Sequence, residues 1–167
     1  MMKAVAVAGN PKTASRTSDA AERPACALGL ECEAVEVAAL RAGLLGWDAP
    51  DVAAAVERAQ ATDVVIAASP THKGTCTGLL ELFLDQFPTA TGLAGQMASP
   101  PLLGAGPTHA LAPELTVKPV LVELAATCPA QGLYQLDSTH TSDHSLARWI
   151  GRWGRIVIDA PKTRAGS

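Results

Sequence analysis

The stretch Asp63-Val64-Val65-Ile66-Ala67-Ala68-Ser69 constrains the fold more than any other part of the chain. It is apolar without alternation, the pattern of a strand buried on both faces, as in parallel sheets covered by helices. Pro70 ends it. A second short apolar run, Val5 to Ala8, stops at Gly9, and Cys32 to Val37 follows a turn at Gly29. Between such runs lie segments with apolar residues three and four apart. One starts near Pro50, with Asp48 and Asp51 as capping candidates, and carries Val52, Ala55, Val56 and Ala59. Others carry Leu79, Leu80, Phe83 and Leu84, and then Leu146, Trp149, Ile150, Trp153 and Val157. Strands alternating with helices predict a parallel sheet with helices on both faces.

The second half is less regular. Met97 to Leu103 takes the place of a fourth strand, shortened by Pro100 and Pro101, and Pro129 to Leu136 that of a fifth. His109 to Thr127 has helical spacing that Pro113 and Pro119 must interrupt or kink.

At 167 residues the chain is expected to form one domain over residues 1–158, with a disordered tail over 159–167. A net charge of −3 without a basic cluster argues against nucleic acid as partner. Cysteines 26, 32, 76 and 128 form no Cys-x-x-Cys pair, which suggests neither a disulfide framework nor a zinc site. No signal peptide or membrane-spanning run is seen, so a soluble cytoplasmic protein is the expectation.

The loop after Val5–Ala8 reads Gly9-Asn10-Pro11-Lys12-Thr13-Ala14-Ser15-Arg16-Thr17. Strand, loop and helix N-terminus in this order suit an anion, because first-turn N–H groups are free and the dipole favours negative charge. Hydroxyls of Ser15 and Thr17 and the Arg16 guanidinium suit a phosphate monoester. The loop is not a Walker loop, since Ala14 and Ser15 stand where glycine and lysine are needed. One glycine is too few for a dinucleotide fingerprint. A flavodoxin-like phosphate loop and a plain polar loop with Ser15 as helix cap both remain. Two more loops, Pro70–Thr75 and Gly104–Thr108, leave the same ends of the predicted strands, where α/β sheets bind ligands, and this convergence favours the cofactor reading.

Gly9-Asn10-Pro11-Lys12 with Ser15-Arg16-Thr17 resembles the phosphate loop of the NADPH-dependent FMN reductases. Ser69-Pro70-Thr71-His72-Lys73-Gly74-Thr75-Cys76-Thr77-Gly78 is similar to their second flavin loop, and Leu84-Asp85-Gln86-Phe87-Pro88 and Val117-Lys118-Pro119-Val120-Leu121 to further landmarks. The likeness is nearest to the reductases paired with sulfonate monooxygenases. It implies a flavodoxin-like three-layer sandwich with a five-stranded parallel sheet in the order 2-1-3-4-5. It also implies FMN with NADPH or NADH, and hydride transfer that calls for no side-chain acid or base. Asn10, Ser15, Arg16 and Thr17 would hold the phosphate. Pro70, Thr71, His72, Lys73, Gly74 and Thr75 would lie along the isoalloxazine, with Gly104, Ala105, Gly106 and Thr108 on its other side.

Implied partners are a flavin-dependent monooxygenase or a quinone-like acceptor, and a second copy of the chain in a homodimer or homotetramer. Subunit contacts would fall on the helix from Leu79 to Phe87 and on Pro119–Leu124. Alternatives are a flavodoxin-like electron carrier and a member that has lost flavin. His72 and Cys76 replace aromatics, Pro107 replaces a glycine, and the segment before Lys118 reads as one residue shorter than in the sulfonate-type enzymes, which insert a tyrosine. Without an aromatic in either ring-side loop, FMN is expected to exchange readily.

Among other candidates, His72 is either a proton donor or a residue packing on the ring, and His109 reads as a helix start. Cys76 stands at a helix start, where a thiol pKa is lowered, but without a second cysteine it reads as structural. Asp137, His140, Asp143 and His144 suggest a metal cluster or, preferably, a polar loop in which Ser142 or Asp143 caps the last helix.

Overall fold

A computed structural model describes residues 1–159. The chain runs β1 (Lys3–Ala8), α1 (Arg16–Ala27), β2 (Glu31–Glu36), a 3₁₀ segment (Val37–Leu45) kinked at Arg41, α2 (Pro50–Gln60), β3 (Val64–Pro70) and α3 (Gly78–Leu84). Then come β4 (Met97–Ser99), β5 (Leu102–Gly104), a 3₁₀ turn (Pro107–His109), a π-turn (Pro113–Val117), α4 (Lys118–Glu123), β6 (Tyr134–Leu136) and α5 (Ser145–Asp159). All strand pairs are parallel, in the order β2-β1-β3-β5-β6, with β4 also on β3.

The sheet is therefore six-stranded, and the expected order 2-1-3-4-5 is corrected at its fourth strand. Pro100 and Pro101 have no N–H to give the ladder, so the stretch 97–103 splits in two. Met97–Ser99 pairs with the first half of β3, and Leu102–Leu103 with Ser69–Pro70. The winding direction still reverses between β1 and β3, which makes their carboxyl ends a switch point.

Period-two alternation divides the central strands between the two faces. Val5, Val7, Val65 and Ala67 pack with Val52, Val56, Leu80, Phe83 and Leu121 from α2, α3 and α4. Ala4, Val64 and Ile66 face Ala25 of α1 and Leu146, Trp149 and Val157 of α5. Ala6 and Ala68 meet Ala21, so small residues on both sides let α1 lie close to the sheet. Pro24 does not stop α1, which runs on to Ala27.

One local expectation changes at the start of α2. The N-cap of α2 is Ala49, without a side-chain bond, since Pro50 at the first turn needs no donor partner; Asp51 accepts instead from Val52 N–H at 3.0 Å. Leu80, Phe83, Leu84 and Phe87 lie in the protomer's own core, while Leu79 and Leu82 of α3 are half-buried. The chain before Lys118 widens into a π-turn closed by Lys118 N–H on the Pro113 carbonyl. Leu115 stands on that turn at 67% exposure. Asp159 closes α5, and the rest of the expected tail lies outside the described residues. Among the described residues no helix is long and apolar enough to cross a membrane.

Candidate functional site

The first loop begins where β1 runs out. Gly9 N–H donates to Ala68 O at 2.8 Å, and Thr77 Oγ1 donates to Gly9 O at 2.5 Å, tying the loop to β3 and to the start of α3. A Cβ at Gly9 would stand 2.5 Å from Leu80 Cβ, so only glycine lets the loop leave the sheet here. Asn10 organises the rest of the loop: its Oδ1 accepts from Lys12 N–H and its Nδ2 donates to Thr17 Oγ1, both at 2.9 Å. Ala14 takes a left-handed φ of 49° while its N–H donates to Glu36 Oε1 at 3.2 Å. Glu36 sits at the carboxyl end of β2, and its Oε2 is buried without a partner.

Ser15 caps α1. Its hydroxyl accepts from Ser18 N–H at 3.3 Å while Ser18 Oγ accepts from Ser15 N–H at 3.1 Å, a reciprocal capping box. Thr17 is buried. Two of the expected phosphate side chains thus serve the loop first. The N–H groups of Arg16 and Thr17 remain in a first turn that no intrahelical carbonyl reaches. The Arg16 side chain, 64% exposed, bonds Asp137 beyond the end of β6.

The second loop is a tight reversal. His72 and Thr75 exchange backbone hydrogen bonds of 2.8 and 3.1 Å around Lys73 and Gly74, whose φ values are 53° and 84°. Two consecutive left-handed residues make a primed hairpin turn. Thr71 N–H donates to Leu103 O at 2.6 Å, joining this loop to β5, while Thr71 Oγ1 is buried without a partner. Thr77 caps α3 by accepting from Leu80 N–H at 3.2 Å. His72 and Lys73 are exposed. Burial pushes the Cys76 thiol up, with Glu81 adding to the effect, so this cysteine is not activated by its place at a helix start.

In the third loop Gly104 is buried, Ala105 and Thr108 are exposed, and Gly106 lies between. Tyr134 of β6 donates its hydroxyl to Gly106 O at 2.5 Å and lies over Gly104 so closely that a Cβ there would be 1.7 Å from its oxygen. His109 stands close to Gly74, at 3.5 Å from where its Cβ would be. Gly74, Pro107, Thr108, His109, Leu111 and Leu115 help line a pocket of about 490 Å³.

The expected residues therefore gather at one edge, in three loops beyond β1, β3 and β5. The sequence reading missed two groups there, Glu36 and Tyr134, and it took Asp137 only as part of a metal cluster or polar loop, not as a partner of Arg16. Each stands in, or just beyond, an outer strand of the sheet, and that position is the signal that could have found them. The preferred reading of Asp137 and its neighbours, a polar loop in which Asp143 caps the last helix, is the arrangement seen. His140 Nδ1 donates to Asp137 O at 3.1 Å and its Nε2 faces Asp19 Oδ2 at 2.9 Å, while Asp143 accepts from Ser145 N–H at 2.9 Å as a helix cap. Among the described residues no three metal-ligating side chains come together.

A ligand group fits this edge on three observations. Thr71 holds a buried hydroxyl without a partner, the α1 N-terminus offers unused donors, and the Arg16 guanidinium is exposed beside them. Residues 2–141 match the family described as NADPH-dependent FMN reductase. The FMN reductase (NADPH) of Escherichia coli (strain K12) is 30% identical over 143 residues, 82% of this chain and 74% of that protein. The enzyme of the same description from Pseudomonas putida (strain KT2440) is also 30% identical over 143 residues, 82% of this chain and 72% of its own. The crystal structure of an NADH:FMN oxidoreductase in its apo form superposes with a TM-score of 0.86 at 25% identity, covering 99% of this chain and 92% of that one. With its strand order, its switch-point loops and this match over most of its length, the chain belongs to the NADPH-dependent FMN reductase family.

Proposed function

We propose that this protein is an NAD(P)H-dependent FMN reductase that binds FMN at the carboxyl edge of its sheet and releases it reduced to a flavin-dependent monooxygenase. The observation that carries this reading is the meeting of the α1 N-terminus, the Lys73–Gly74 turn and the Gly104–Thr108 loop at the β1/β3 switch point. Asn10 and Ser15 hold the loop in shape, and the N–H groups of Arg16 and Thr17 with the Arg16 guanidinium take the phosphate. Residues 70–75 and Gly104, Ala105, Gly106 and Thr108 border the ring. FMN, when bound, supplies the two-electron acceptor for a nicotinamide hydride. The chain's part is to bind, to orient and to leave the ring reachable. The buried Thr71 hydroxyl would gain a partner, and N–H groups of the turn would favour the anionic reduced flavin.

Neither ring-side loop contains a Trp, Tyr or Phe. FMN is then held chiefly by its phosphate and exchanges as a substrate, which suits hand-over to a partner. The chain self-associates through Leu111, Leu115, Val120 and Val122, the exposed apolar residues around the π-turn and α4.

The test is equilibrium titration with FMN and riboflavin. Arg16→Ala is expected to weaken FMN by about 1.5–3 kcal/mol, the worth of a charged hydrogen bond, and to leave riboflavin nearly unchanged. Equal losses for both flavins would remove the phosphate role.

A further inference from the structure

We propose that Asp137 is an affinity-setting residue that competes with the FMN phosphate for Arg16 and so keeps the flavin exchangeable; this rests on the phosphate reading of the α1 N-terminus. The Arg16 guanidinium, first residue of α1, bonds the Asp137 carboxylate just past β6. The two side chains are 64% and 40% exposed, so the pair is open to exchange with another anion. The main chain that carries the carboxylate, in contrast, is tethered. Asp137 N–H donates to Gly104 O at 2.9 Å, its carbonyl accepts from His140 Nδ1 at 3.1 Å, and His140 Nε2 is pinned to Asp19 of α1 at 2.9 Å.

A carboxylate on a main chain so held stays within reach of the guanidinium when an anion arrives. The incoming phosphate must then give up part of Arg16 to Asp137, and it lies near a like charge held in place. Glu36, whose Oε1 accepts from Ala14 N–H, adds negative charge on the other flank of the same loop. The site is thus built for a phosphate and tempered against holding it tightly. A buttress that aims Arg16 at the phosphate uses the same contact and has the opposite sign, so the sign of one substitution decides between them.

The experiment is titration of wild type, Asp137→Asn, Arg16→Ala and the double variant with FMN and with riboflavin, followed by flavin fluorescence. Neutralising an exposed partner and one nearby like charge is expected to tighten FMN about three- to tenfold. Riboflavin is expected to stay within about twofold, and the gain to vanish when Arg16 is already alanine. Asp137→Ser, which also keeps the backbone tethers, is expected to behave alike, and melting without flavin guards against a folding effect. Unchanged or weaker FMN binding in Asp137→Asn and Asp137→Ser, while Arg16→Ala still separates FMN from riboflavin, overturns the competition and leaves the phosphate reading standing. Loss of that separation in Arg16→Ala overturns both.

Discussion

Gly104→Ala is the substitution that the packing at this edge most clearly forbids. The new methyl would stand 1.7 Å from Tyr134 Oη, 2.6 Å from its Cζ and 3.1 Å from its Cε2, where carbon contacts want about 3.5–4.0 Å. Tyr134 cannot slide away along the strand, because Leu102 pairs with Tyr134 and Gly104 with Leu136 in the β5–β6 ladder. The ring must swing out, breaking its 2.5 Å bond to Gly106 O. Overpacking costs about 1–3 kcal/mol and the lost hydrogen bond about 0.5–1.5 kcal/mol, so about 2–4 kcal/mol is expected. For a chain of this size that lowers Tm by about 4–16 °C. Urea unfolding followed by the fluorescence of the three tryptophans measures it. Tyr134→Phe alone loses only the hydrogen bond, about 0.5–1.5 kcal/mol. In a Tyr134→Ala background the methyl has room, and Gly104→Ala should cost under about 1 kcal/mol. A cost below about 0.5 kcal/mol in wild type, or an equal cost in both backgrounds, would refute the steric argument.

Thr77→Val removes a helix cap and the donor to Gly9 O together, and a loss of about 2–4 kcal/mol in chemical denaturation is expected. Native thiol labelling near pH 8 should modify exposed Cys26 first; burial pushes the Cys128 thiol up to about 11 and raises Cys32 and Cys76 as well, so equal rates at all four would contradict the packing. Burial raises the Glu114 carboxyl, but the Lys118 ammonium and Gly132 N–H outweigh it and hold the group below its ordinary value. A depressed carboxyl stabilises the fold above its unfolded pKa and loses that contribution as pH falls through the folded one. Glu114→Gln should therefore flatten the stability profile below about pH 4.5, and an unchanged acid limb would speak against the pair. Light scattering at micromolar concentration should return a dimer or larger; a monomer counts against association through Leu111, Leu115, Val120 and Val122.

Much of the layout follows from residues read singly. Val64–Ala68 could only be a strand covered on both faces, and it lies at the centre of the sheet with every residue from Val64 to Ser69 buried. Gly9 followed by a polar loop and Ser15 announced a strand end and a capped helix, because each depends on a neighbour no more than a few residues away, whereas the close packing of Gly9 on Leu80 came only with the fold. The last helix was legible in Leu146, Trp149, Trp153 and Val157 for the same reason. The proline-rich half was harder: prolines say where regular structure fails but not what replaces it. The split of 97–103 and the π-turn at Pro113–Val117 had to be seen.

The same line divides the site. Local chemistry marks the loops after β1, β3 and β5 and the capped start of α1, since turn composition and helix ends are short-range properties of a sequence. What faces them is set by strand order. Asp137 reaches Arg16 across 121 positions, His140 reaches Asp19 across another 121, and Tyr134 closes over Gly104 because β6 lies beside β5. No periodicity or spacing encodes which side chains two distant strand ends bring together. That choice is made when the sheet assembles, and with it the balance of charge around the start of α1.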